Sequence, residues 1–237
     1  MNYELKLEVC CADLQSVRAA VEGGAHRVEL CQALGLDGLT PSAGMIEQAV
    51  SMGIHVQVLI RPREGDFVYD RDEVLCMQRD IRHARELGAG GVVIGALRPD
   101  GSIDEETTRR LVDEAEGMSI TFHRAFDVCA RPEEALEQII SLGCHRLLTS
   151  GQHPTALEGA EVIKQLVQYS TLHSPLSTLH SPLTILAGGG ITPLNAQELV
   201  AATGVTELHG SCKTLLPDGT LLTDPEQVRQ LKLRTKN

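Results

Sequence analysis

Carboxylates, imidazoles, thiols and a guanidinium sit at alternate positions inside short aliphatic runs of this chain. The runs Lys6-Leu7-Glu8-Val9-Cys10 and Val28-Glu29-Leu30-Cys31 each carry an acid and then a thiol two residues on. His55 to Arg61 ends on a guanidinium, Thr121-Phe122-His123 on an imidazole, and Glu207-Leu208-His209 joins a carboxylate to an imidazole. A period of two puts polar groups on one face of a strand and aliphatic groups on the other. Acids, imidazoles and a guanidinium on one face are the tools of proton transfer and anion stabilisation. Two thiols on that face are soft-metal ligands.

The segments after these runs extend the set. Arg61-Pro62-Arg63-Glu64-Gly65-Asp66-Phe67 is long and charged for a connector, either a lid that carries Arg63 to an anion or a loop whose charges pair locally. His123-Arg124-Ala125-Phe126-Asp127 groups an imidazole, a guanidinium and a carboxylate. Gly188-Gly189-Gly190 opens a turn where backbone amides approach a phosphate closely, with Thr149, Ser150 and Ser211 on neighbouring loops.

The elements that must position these residues follow a βα rhythm. Strands are expected at 5–10, 27–31, 55–61, 91–95, 119–123, 146–149, 184–187 and 206–209, with a helical stretch after each. Asp13, Ser42 and Asp104 stand at helix N-caps, and Thr192-Pro193 and Asp224-Pro225 read as cap and first turn. Gly24, Gly53, Gly88 and Gly143 close helices before the next strand. Eight such units in 237 residues predict a TIM (β/α)8 barrel formed as one domain over 1–237. A doubly wound open sheet is the alternative, but no G-x-G-x-x-G follows the first strand. Residues 170–176, S-T-L-H-S-P-L, recur unchanged at 177–183, which predicts a duplicated surface loop.

In a barrel the aliphatic alternates lie under the helices, so Lys6, Glu8, Cys10, Glu29, Cys31, His55, Gln57, Leu59, Arg61, Thr121, His123, Glu207 and His209 face inward. Interiors of this kind are normally filled by Val, Ile and Leu. Buried carboxylates need partners. Either Arg61 and Lys6 neutralise the three Glu in a structural network, or the late-strand charges form a pocket at the C-terminal face.

Composition narrows the partners. A net charge of −11 and a content of three Phe, three Tyr and no Trp argue against nucleic acid and anionic membranes. Seven Cys without a C-x-x-C pair suggest neither a disulfide framework nor structural zinc. Without a leader-like start or a spanning apolar run, a cytoplasmic location is expected.

The segments Glu8-Val9-Cys10, Val28-Glu29-Leu30-Cys31, Gly38-Leu39-Thr40-Pro41-Ser42, Ile60-Arg61-Pro62-Arg63-Glu64-Gly65-Asp66-Phe67, Thr121-Phe122-His123-Arg124-Ala125-Phe126-Asp127, Leu148-Thr149-Ser150-Gly151 and Glu207-Leu208-His209 resemble the CutC family of copper homeostasis proteins. The resemblance runs nearly end to end and implies a TIM barrel, a cytoplasmic location, self-association with a dimer favoured, and copper handling. It places the family's copper cysteines on Cys10 and Cys31; two soft thiolates would suit Cu(I), and the copper reading adds His123 or His209 as auxiliary ligands. The residues themselves support a second reading, a lyase- or isomerase-type enzyme for a small anionic metabolite, phosphorylated metabolites included. There Glu8, Glu29 or Glu207 acts as base, His123 as acid or carbonyl polariser, Arg61 as charge stabiliser, and Gly188, Gly189 and Gly190 as the phosphate cradle.

Overall fold

Eight short strands, each buried on both sides, close into a barrel in the computed structural model, which describes residues 5–172, 182–217 and 219–234. They are β1 (Lys6–Cys11), β2 (Arg27–Leu30), β3 (His55–Leu59), β4 (Gly91–Ile94), β5 (Ser119–Phe122), β6 (Arg146–Thr149), β7 (Thr184–Gly188) and β8 (Glu207–Gly210). All neighbours pair in parallel, and β8 returns to β1 with Glu8 beside His209. The outer layer is α1 (Leu14–Gly23), α2 (Ala43–Ser51), α3 (Arg71–Glu86), α4 (Glu105–Glu114), α5 (Pro132–Ser141), α6 (Ala160–Leu172), α7 (Ala196–Thr203) and α8 (Pro225–Arg234). This is the (β/α)8 barrel that the alternation predicts. Most of the duplicated stretch, residues 173–181, lies outside the described residues.

Local chemistry explains the element ends. Asp13, Ser42 and Asp104 each accept a bond from a first-turn amide, satisfying a donor the helix itself leaves free. Asp70 and Glu73 form a reciprocal capping box at α3 that the sequence reading did not mark. The Thr192-Pro193 signal is misplaced: α7 begins at Ala196, because the Asn195 carboxamide bonds Thr192 N–H and Gly190 C=O and holds a turn ahead of the helix. A hairpin, β9 (Lys213–Leu215) and β10 (Leu221–Thr223), was not expected, since three-residue strands leave no legible alternation.

Packing separates two interiors. Leu7, Val9, Val28, Leu30, Val56, Val58, Ile60, Ile120, Phe122 and Leu208 are buried between sheet and helices in one apolar cluster. Inside the tube, Cys10, Cys31, Leu59 and Val93 form a separate small cluster. Below it lies a layer of charge. Arg27 Nε donates to Glu8 at 2.5 Å and its Nη2 donates to Glu207, while Arg146 Nε reaches Glu207 at 2.9 Å. The expected neutralisers, Arg61 and Lys6, are therefore incorrect. Lys6 is exposed at the N-terminal end of β1, and Arg61 sits in a higher layer among carbonyls.

Removing one partner of a buried ion cluster leaves an uncompensated charge, which typically costs about 3–5 kcal/mol. Arg27→Met is expected to lower unfolding stability by that order in urea titrations. Arg63→Ala, at a side chain 37% exposed in local surface pairs, is expected to cost about 1 kcal/mol or less.

Candidate functional site

The C-terminal ends of β1, β2, β3, β5 and β8 surround a cavity of about 440 Å³ whose wall includes Cys10, Glu29, Cys31, Arg61, His123 and His209. Phe67, from the loop after β3, leans over it with its ring 4.9 Å from that of His123.

The thiols meet. Cys10 Sγ and Cys31 Sγ are 4.0 Å apart, although Cys10 pairs in register with Glu29 rather than Cys31. Burial is nearly complete for both. The hydrogen bond to Cys31, then burial, then the charge of Glu29 push the Cys10 thiol well above its ordinary pKa. Cys11, on the helix-facing side, is also buried and raised, mainly by burial.

His209 is held from behind. Its Nδ1 lies 2.7 Å from Glu8 Oε1, and its Nε2 lies 3.7 Å from Glu29 Oε2. Cys10, Glu29 and His209 offer donor atoms all within 4.8 Å of one another, the group of this kind found among the described residues. Burial opposes charge on the imidazole, but Glu29, the Cys10 bond and Glu8 outweigh it and raise the His209 pKa well above 6.5. Glu8 goes the other way. Burial would raise it, yet Arg27 and His209 hold it at about 2. Glu29 is raised, because burial exceeds the pull of His209. Glu8 is thus a fixed anion that accepts a hydrogen bond from Nδ1–H and leaves Nε2 toward Cys10 and Glu29, the arrangement in which a carboxylate orients a metal-ligating histidine.

His123 is tuned differently. Ala125 N–H donates to its Nδ1 at 3.1 Å, which assigns the ring proton to Nε2. Burial, then the Arg61 charge, depress its pKa to about 3. Its Nε2 has no partner. Gly95 lets the ring lie there: a Cβ at that position would come within 2.5 Å of Cε1 and Nδ1.

Other expected site residues lie elsewhere. Glu207 is bound by Arg27 and Arg146 below the cavity. Arg63 is occupied by Glu73, Asp66 and backbone carbonyls of its own loop, so it does not reach over the mouth. Thr149 and Ser150 are tied to Asp127, which accepts from Thr149 Oγ1, Ser150 Oγ and the Ser150 amide. The Gly188–Gly190 turn is packed from outside. A Cβ on Gly189, at φ +108°, would meet Ser150 Cβ at 3.0 Å, and Ala156 N–H bonds the Gly189 carbonyl. The missing side chains make room for the loop after β6, and Ser211 accepts a hydrogen bond from Thr223 Oγ1 through its carbonyl. Arg27 and Arg146 stand outside the set of residues expected in the interior. Arg27 shares the phase of Glu29, two residues on, and that signal was available.

Fold and mouth together define a (β/α)8-barrel protein with a buried thiol–imidazole–carboxylate pocket. The chain belongs to the CutC family, whose model matches residues 5–214. The CutC of Porphyromonas gingivalis is 46% identical over 223 residues, spanning 94% of this chain and 86% of that protein. The Vibrio cholerae CutC is 45% identical over 229 residues, 95% and 86% of the two chains. A solved CutC from Streptococcus agalactiae, named for a proposed role in copper homeostasis, superposes with a TM-score of 0.79 at 33% identity, covering 87% of this chain and 98% of its own. Phosphoribosylanthranilate isomerase from Pyrococcus furiosus shares the fold alone, with a TM-score of 0.59 at 15% identity. No helix among the described residues is long and apolar enough to cross a membrane.

The two depressed groups set an acid sensitivity. His123 stays neutral when folded, whereas the unfolded chain protonates it near 6.5, so stability falls as pH drops from 6.5 toward about 3. Glu8 contributes above 4.5, and its share is lost between 4.5 and about 2. His209 has the opposite sign, and its contribution changes only above pH 6.5. Between pH 6.5 and 5, His123→Leu is expected to flatten the fall in urea-unfolding free energy by up to about 1.4 kcal/mol per pH unit. An unchanged slope contradicts the assignment.

Proposed function

We propose that this protein serves copper homeostasis by binding Cu(I) at the barrel mouth through Cys10, Cys31 and His209. The observation that carries the reading is the 4.0 Å between two buried sulfurs, beside an imidazole whose other nitrogen is held by Glu8. Two metal–sulfur bonds of roughly 2.3 Å span at most about 4.6 Å. The shorter separation suits a bent arrangement completed by a third donor, and His209 lies within 4.8 Å of Cys10 and Glu29. Thiolate and imidazole match a soft monovalent metal better than Mg²⁺ or Ca²⁺. Glu29, a hard oxygen donor with a raised pKa, fits better as the acceptor of the His209 Nε2 proton that metal displaces.

Family membership supports the copper reading, and self-association and a cytoplasmic location belong to the same proposal. Of the acid–base set, Glu8 and Glu207 are engaged in ion pairs, which weakens the enzyme reading by removing two of its three candidate bases.

Anaerobic Cu(I) competition against a chromogenic chelator tests the site. The parent is expected to take one tightly held Cu(I) per chain. Cys10→Ser and Cys31→Ser are each expected to lose about 100-fold or more in affinity. Unchanged stoichiometry and affinity in both variants would remove the site.

A further inference from the structure

Arg61 is a buried cation with no carboxylate partner among the described residues. It is 4% exposed, and none of the ion pairs formed by the described residues includes it. Its guanidinium has five N–H groups. Nη1 donates to the carbonyls of Leu36 and Gly38 at 2.8 and 3.0 Å, and Nη2 donates to that of Gly65 at 2.9 Å. Nε has no partner, and one Nη2 proton is uncommitted. Across the Phe67 ring, which lies 5.2 Å from the Arg61 guanidinium carbon and 4.9 Å from the His123 centroid, the His123 Nε2–H is also buried and unpartnered. Buried donors are nearly always satisfied. Here two such side chains line one cavity.

We propose that the mouth cavity binds a small monocarboxylate, with Arg61 and His123 donating to its oxygens and the carbon body against Leu34, Leu59 and Leu148. Three features select this class. The free edge of Arg61 matches the planar pair of carboxylate oxygens. Glu29 and Asp37 line the same cavity and disfavour a dianion such as phosphate. The apolar part of the wall suits a few methylenes. The donors Arg61 and His123 are not in the proposed copper set, while Cys10, Cys31 and His209 line the same cavity, so carboxylate binding is read on the metal-free protein and separately from Cu(I) binding.

Calorimetric titration of the metal-free protein with acetate, butyrate, hexanoate and inorganic phosphate tests it. One saturable carboxylate site per chain is expected, with affinity rising roughly fourfold per methylene until the cavity is full. His123→Leu is expected to weaken butyrate at least tenfold. Arg61 also anchors two loops, so its role is read without substitution, from a shift of its Nε–H resonance and that of His123 Nε2–H on butyrate addition. No saturable carboxylate binding, unmoved resonances, an unchanged affinity in folded His123→Leu, or phosphate binding in place of carboxylate would each overturn the proposal.

Discussion

A guanidinium held between two carboxylates at the centre of a barrel is the constraint on which the rest depends. Arg27 bonds Glu8 on β1 and Glu207 on β8, the two strands whose pairing closes the tube. Burial works against every ion in this layer, and each is retained because its partner is equally buried. Arg27 rises above its ordinary pKa as Glu8 falls, because each carries the charge the other needs. The consequence reaches upward. Glu8 spends its second oxygen on His209 Nδ1, and that bond turns the opposite nitrogen toward Cys10 and Glu29.

The barrel interior is therefore layered by chemistry. The lower layer is an ion cluster, extended by Arg146 to Ser119. Above it, two thiols, one raised carboxyl and one captive imidazole line the cavity. A third level begins at Arg61 and His123, which Phe67 roofs. Loops from neighbouring strands fix this level through backbone carbonyls, so the Arg61 side chain takes the place of a salt bridge in tying residues 36, 38 and 65 together. The same packing explains the glycines after β7, whose missing side chains make room for the loop carrying Ser150 and Ala156.

Much of this was legible in the chain. Strict alternation through Leu7-Glu8-Val9-Cys10 and Val28-Glu29-Leu30-Cys31 assigns both faces, and polar caps with closing glycines bound the helices. What alternation cannot supply is the height at which side chains meet across a closed, sheared sheet. That is why Arg61 looked like a neutraliser of Glu8, and why Arg27, in phase with Glu29, went uncounted. Nor does a run of three glycines say whether backbone or ligand will approach it. The spacing of Cys10 and Cys31 was equally open, because strands offset in register can bring sulfurs together or stagger them.

The central claim is that Glu8 fixes the His209 ring so that only Nε2 is available on the side of Cys10 and Glu29. Nitrogen-15 spectra of the histidine rings, recorded before and after one equivalent of Cu(I), test it directly. Before metal, both His209 nitrogens are expected to carry protons at neutral pH; afterwards copper has replaced the Nε2 proton, which leaves to Glu29 or solvent, while Nδ1 keeps its own. A His209 whose Nδ1 is the nitrogen that changes, or whose ring does not respond to copper at all, contradicts the account.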